Sequence, residues 1–178
     1  MNSAGSYIQI WDDFEKLEQN IASVLMENKN LFKLLKDSAN DPLERGIEDE
    51  DIEDMLTEYD DNGQLNPNCR VFFEPFIETA LTSRVSNVRI YPVQVNPENV
   101  YVGDLYIQID IIVHQSISKI KDGRRRNRIL SEIIKSLNGS DIKLAQTLRL
   151  VDKPITLRQF KDEYWGYSIL LKSGVAMR

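Results

Sequence analysis

The feature that most constrains this chain lies between Asn87 and Asn138, where two alternating stretches precede an amphipathic one. In residues 87–95, apolar Val88, Ile90, Val93 and Val95 alternate with polar neighbours, with a slip at Tyr91-Pro92. In residues 104–113, Leu105, Ile107, Ile109 and Ile111 share one parity. A repeat of two is the pattern of a strand buried on one face, because successive side chains point to opposite sides. The connection between them holds Asn96, Pro97 and Gly103, which predicts a hairpin with a longish loop. In residues 122–137, Ile129, Leu130, Ile133, Ile134 and Leu137 fall on one helical face. Gly139 follows where a helix end favours positive φ. Two strands bury too little to stand alone in water. The helix is their nearest apolar cover, and the rest of the chain is added to that unit.

Ahead of it, Asp12 or Asp13 supplies an N-cap. Phe14, Leu17, Ile21, Val24, Leu25, Leu31, Phe32 and Leu35 then recur three and four apart, with one wider step across Asn28-Lys29-Asn30. The spacing predicts a long N-terminal helix over 12–36, either continuous or broken at that step. Residues 1–10 read as loosely ordered, with Tyr7, Ile8 and Ile10 available to pack back. Residues 37–69 change character. Nine of the fourteen residues from Glu48 to Asp61 are acidic, yet Ile52, Met55, Leu56 and Tyr59 keep helical spacing. That predicts a short acidic amphipathic helix, closed by Asn62-Gly63, as an insertion between the first helix and the sheet. Residues 70–73 read as a short strand. Residues 74–83 read as a short helix with Pro75 in its first turn, where a missing N–H costs nothing. Residues 145–151 alternate weakly, 156–162 are polar and suit a loop or a turn of helix, and 164–172 make an aromatic closing strand. The fold class expected is α+β: an antiparallel β-sheet flanked by a long N-terminal helix and a second covering helix, with an acidic helical insertion, in one domain over 1–178.

Composition narrows the role. Apolar content of 42% and charged content of 28% suit a soluble globular chain. No run of about 18 apolar residues suggests a membrane span, and the first residues lack the basic and apolar regions of a signal peptide. The single Cys69 has no partner for an internal disulfide and fits a reducing compartment. A net charge of −6 argues against bulk affinity for nucleic acid while leaving room for a local basic patch.

Few motifs point to chemistry. Glu58, Asp60, Asn62 and Gly63 mimic the first half of a calcium loop, but Cys69 stands where the bidentate acid belongs and Pro67 interrupts the second half. A helix end followed by a turn accounts for them better. His114 is the one histidine and reads as a strand-end residue. A Ser–His–Asp set is formally available but lacks a nucleophile-elbow context. The glycines are isolated, so no phosphate loop is expected. No metal, no cofactor and no catalysis are expected.

Charge is more informative. Lys119, Lys121, Arg124, Arg125, Arg126 and Arg128 fall within ten residues, several of them in the first turns of a helix. Cations there oppose the macrodipole at roughly 0.3–1 kcal/mol each. Either the arginines fan into water around a well-anchored helix, or an acidic partner compensates. The candidate partners are nucleic-acid phosphate and the acidic run of a neighbouring copy. Pairing of the two blocks within one chain is equally allowed. Opposite blocks on one chain suit head-to-tail contacts, which close into rings when the rotation permits. The candidate contact residues are Arg124, Arg125, Arg126 and Arg128, with Glu48, Asp49, Glu50, Asp51, Glu53 and Asp54.

The element order, carried by residues 87–95, 104–115, 124–137 and 164–172, resembles the small neck and tail-terminator (tail-completion) proteins of long-tailed bacteriophages. The likeness lies in order and strand texture over under half of the chain. It implies a ring, usually a hexamer, that ends the tail tube, meets the head connector and carries no catalysis or cofactor. The implied partners are further copies, tail tube protein and a head connector or head-closure protein, with passing contact to DNA in the lumen and no membrane. The implied location is the virion neck, after assembly in the host cytoplasm. A head-closure or adaptor ring, or a nucleic-acid-associated adaptor using residues 119–128, are the alternatives. An enzyme built from scattered acids is a third class that no motif requests.

Overall fold

The computed structural model describes residues 14–36, 38–75, 84–98, 102–142 and 147–176. The expected long helix is two: α1, Phe14–Met26, and α2, Lys29–Lys36. Asn28 separates them. Its Oδ1 accepts the Leu31 N–H at 3.1 Å, as an N-cap does, and its Nδ2 donates to Ser136 Oγ at 2.8 Å on the covering helix. Leu17, Ile21 and Leu25 of α1 and Leu31, Phe32, Leu34 and Leu35 of α2 are buried. Each such burial stabilises by about 1.5–3 kcal/mol.

The acidic helix is α3, Asp49–Leu56. Glu48 caps it in a reciprocal box with Asp51, whose Oδ2 accepts the Glu48 N–H at 3.1 Å. Ile52 and Met55 turn into the same core as α2. The helix ends at Leu56, earlier than the Asn62-Gly63 stop its spacing suggested, because residues 57–66 double back and Tyr59 bridges Leu65.

The sheet strands are β1 (Val71–Phe72), β2 (Ser86–Pro97), β3 (Val102–His114), β6 (Arg149–Leu150), β7 (Leu157–Lys161) and β8 (Tyr164–Ala176). Their order is β1-β2-β3-β8-β6, with β7 also on β8. All pairs are antiparallel except β1 on β2, which is parallel. The predicted hairpin forms, with Ile90 opposite Ile109 and a register shift between Pro92 and Gln94 at the slip in the pattern. The closing strand β8 lies inside the sheet rather than at its edge, with Ile169 opposite Ile109 and Leu171 opposite Ile107. At Gly166 a Cβ would stand 1.6 Å from Ile111 O, so only glycine fits.

Residues 156–162 correct the expectation of a loop or helical turn, since most of them form β7. The strand is exposed on both faces except at Phe160, so it shows no apolar period, and its backbone pairing with β8 defines it. The covering helix, α4, spans Arg125–Leu137. It starts three residues later than its pattern because Lys119–Ile120 (β4) and Gly123–Arg124 (β5) form a small hairpin. Ile129, Ile133 and Leu137 are buried beneath it, and Gly139 follows at φ 90°. Helix α4 lies on β3 and β8, α2 lies on β2, and α1 packs on both helices. The readings of residues 1–10 and of the first N-cap, most of the helix over 74–83 and part of the strand over 145–151 lie outside the described residues.

Candidate functional site

The four arginines do not share one environment. Arg124 precedes α4, is exposed, and its side chain makes no ion pair or hydrogen bond among the described residues. Arg125 is 0% exposed. Its Nε donates to Ile117 O at 3.0 Å, its Nη1 to Leu34 O at 2.7 Å, and its Nη2 to Ala39 O. A bare buried charge is heavily penalised. Here carbonyls at and beyond the end of α2, which no later helical N–H reaches, solvate it, and the negative end of that helix favours a cation. Arg125 therefore leaves the set of surface contact residues: it is an internal clamp. Arg126 is half-buried and reaches Ser118 Oγ at 3.1 Å. Arg128 is exposed and donates to Asp122 O at 3.2 and 3.3 Å. Lys121 pairs with Glu44, and Lys119 is exposed.

The acidic block divides in the same way. Asp49 pairs with Lys29 at 2.8 Å and Asp51 with Lys36 at 2.6 Å, so two acids bind α3 to α2. The Lys36 hydrogen bond, helped by the Glu48 N–H, holds the Asp51 carboxyl below its ordinary range. Asp54 accepts from Asn66 Nδ2 at 2.7 Å and Asn68 Nδ2 at 2.9 Å. Glu48 caps the helix. Glu50 and Glu53 remain exposed, with no ion pair among the described residues. The two blocks thus do not pair with each other inside the chain. Both flank α2, and the acids that pair there use its lysines.

A second acidic feature was not apparent from spacing. Glu18 on α1 is half-buried, and burial, followed by repulsion from Glu58, Glu15 and Glu74, pushes its carboxyl up to about 7. Glu58 is raised for the same first reason, although its Oε1 accepts the Phe73 N–H at 2.5 Å. The calcium-loop resemblance dissolves into a turn: Asp60 Oδ1 accepts the N–H groups of Asn62 at 2.9 Å and Gln64 at 2.8 Å. Cys69 is buried, and that burial pushes its thiol up to about 12. Among the described residues no group of three His, Cys, Asp or Glu side chains could hold a metal.

His114 ends β3 and is buried. Its Nδ1 accepts the Ser116 N–H at 3.2 Å, capping the short turn that follows, and lies 2.7 Å from Ser116 Oγ. Its Nε2 lies 3.3 Å from Glu163 Oε2, and its ring stands edge-on to Tyr164. Glu163 adopts φ 66°, a region that favours glycine. Its carboxylate also accepts from Gln115 Nε2 at 3.0 Å and its carbonyl from the Gln115 N–H at 2.7 Å. These bonds hold the β7–β8 turn to the end of β3.

The sheet face away from the helices carries polar residues that strand alternation assigns to solvent. The register sets Arg89, Asp110 and Ser168 in one row and Tyr91 and Gln108 in the next. Asp110 and Arg89 are nevertheless buried. Asp110 accepts from Tyr91 OH at 2.8 Å, Gln108 Nε2 at 3.0 Å and Ser168 Oγ at 2.5 Å. Burial first, and the Asp110 charge second, raise the Tyr91 hydroxyl above its ordinary value. A cavity of about 190 Å³ adjoins this row, its apolar wall including Leu150, Pro154 and Ile155. The acceptor and its donors satisfy one another, which is the arrangement of a structural network.

No helix among the described residues is long and apolar enough to cross a membrane. No curated protein matches the chain. The YomW family model matches residues 28–173, and the chain belongs to that family, which is phage-associated.

Proposed function

We propose that this chain is a structural virion protein that forms a ring at the head–tail neck, ends the tail tube and joins it to the head connector. The observation that carries the proposal is the pair of unspent charged surfaces. Glu50 and Glu53 stand on one side of α2, and Lys119, Arg124 and Arg128 belong to the basic segment packed at its end. The acidic and basic surfaces make no ion pair with each other. Two such surfaces on one body suit a head-to-tail contact between copies, and repetition of that contact closes a ring. Membership of a phage-associated family and the helix-covered sheet support the same role. In this role the chain carries no catalysis and no cofactor. Its partners are further copies, tail tube protein and the connector, and DNA passes through the lumen.

Internal use of Arg125 and the Lys121–Glu44 pair weaken the nucleic-acid adaptor, because fewer cations remain for phosphate. Electron microscopy of the purified chain mixed with tail tube protein tests the proposal. Hexameric rings at the tips of tubes of limited length are expected. Unbound monomers beside tubes of unchanged length would refute it, and rings that bind only the connector would move the chain to the head-closure position.

A further inference from the structure

Strand β8 is paired along the whole of its β3 side, but its other side carries a gap. There β6 takes Lys172 and Leu171, and β7 takes Tyr164 to Tyr167, so Ser168, Ile169 and Leu170 have no strand partner on that side. The Val151 N–H reaches in and donates to Leu170 O at 2.8 Å. An antiparallel pair of this kind normally exchanges a second bond, which would run from Leu170 N–H to Val151 O. Val151 O instead accepts the Lys153 N–H at 2.8 Å, and Leu170 N–H meets no acceptor among the described residues. Carried on in its register, β7 would bring Pro154 opposite Leu170, where a proline has no N–H to give. Backbone groups two apart on a strand open on the same edge, so Ser168 C=O faces the gap together with Leu170 N–H.

The gap opens on the cavity of about 190 Å³ beside Asp110. Leu150, Pro154 and Ile155 give it an apolar wall, and Lys153 stands beside them. Gln108 also lines it, and its Nε2 is spent on Tyr91 OH at 2.7 Å and Asp110 Oδ1 at 3.0 Å, so its Oε1 remains to accept. Ser168 Oγ gives its hydrogen to Asp110 and is likewise left as an acceptor. Leu170 N–H and the Lys153 ammonium are the donors.

We infer that this gap binds a primary carboxamide carried on a small flat apolar group. The amide has two hydrogens to give and a carbonyl to accept with. Its hydrogens answer Ser168 C=O and Gln108 Oε1, and its carbonyl answers Leu170 N–H. A carboxylate has no hydrogen for those acceptors and would lie beside the Asp110 charge. A guanidinium or ammonium group has nothing to offer Leu170 N–H and is repelled by Lys153. The cavity falls below the roughly 300–1,000 Å³ of cofactor and drug-sized sites, and a cavity of about 150 Å³ already takes benzene, so one ring with its amide fills it. The site stands whether or not copies of the chain form a ring.

Benzamide is the probe, titrated into the full chain with amide signals read by NMR. In the free chain Leu170 N–H should exchange with solvent about tenfold or more faster than the N–H groups of Ile169 and Leu171, which face β3. Millimolar benzamide should slow that exchange about tenfold. It should also shift the signals of Leu170 and of Ile169, whose nitrogen shares a peptide with Ser168 C=O. Acetophenone keeps the ring and the carbonyl but lacks the hydrogens, and should bind about tenfold or more weakly. Propionamide keeps the amide without the ring, and should weaken by a similar factor. Leu170 N–H exchanging as slowly as its neighbours in the free chain would overturn the inference. So would benzamide that leaves the Leu170 and Ile169 signals unmoved, or benzoate or acetophenone binding as tightly as benzamide.

Discussion

Arg125 Nη1 donates to Leu34 O at 2.7 Å, joining the first turn of α4 to the last turn of α2. The two residues lie 91 positions apart in the chain. This bond holds the covering helix against the end of α2.

Arg125→Met should therefore be costly. It leaves three carbonyl acceptors without their donor, at about 1–3 kcal/mol for each acceptor that water does not reach. A loss of about 3–5 kcal/mol in urea unfolding is expected, whereas Arg124→Met should change stability by about 0.5 kcal/mol or less. Equal effects at the two positions would contradict the division of the arginines into clamp and surface.

Glu18 makes stability depend on pH in a stated direction. Its folded value of about 7 lies above the ordinary 4.5, so the unfolded chain ionises first as pH rises. The stability this carboxyl permits is complete below about pH 4.5 and is lost as pH rises through about 7. Glu18→Gln should thus raise stability at pH 8 by about 1–2 kcal/mol, a figure reduced for its partial exposure, and have little effect at pH 4. Thermal melts across that range would read it; a benefit independent of pH would count against the burial and repulsion invoked.

Gly166 is held by the approach of β3. With Ile111 O 1.6 Å from where a Cβ would sit, Gly166→Ala must push two central strands apart. A loss of more than about 3 kcal/mol is expected, at the upper end of overpacking effects. Gly46, around which a Cβ meets nothing within 4 Å, serves as the tolerant control for calorimetry.

Asp110 should behave as a structural acceptor. Asp110→Ala strands the donors of Tyr91, Gln108 and Ser168 and should cost about 2–4 kcal/mol. Tyr91→Phe removes one donor and should cost about 0.5–1.5 kcal/mol. A double-mutant cycle between them would read the coupling.

Much of the frame was legible in the sequence because it rests on apolar periodicity. The alternation of Leu105, Ile107, Ile109 and Ile111 marked β3, and the spacing of Ile129, Ile133 and Leu137 marked α4. Strand β7 was not legible, because its exposed side chains carry no period and only its backbone pairing with β8 defines it. Asp110 looked like a solvent-facing position, since alternation sets direction and says nothing of what covers a face. Arg125 was indistinguishable from Arg124 and Arg126 by type. Its place at the end of α2 separates them, and that depends on contacts between residues distant in the chain. The acidic block was visible at once. Its division into acids spent on Lys29 and Lys36 and acids left exposed follows from packing, which composition does not record.

The most direct measurement is light scattering on a charge-swap pair. Glu50→Arg with Glu53→Arg in one preparation, and Arg124→Glu with Arg128→Glu in another, each put like charges across the contact between copies. Each should fail to form the ring proposed for the unaltered chain, and mixing the two should restore association, because every seam between unlike copies then joins opposite charges. Rings that form unchanged in both preparations, or an unaltered chain that stays monomeric at every concentration with and without tail tube protein, would contradict the account.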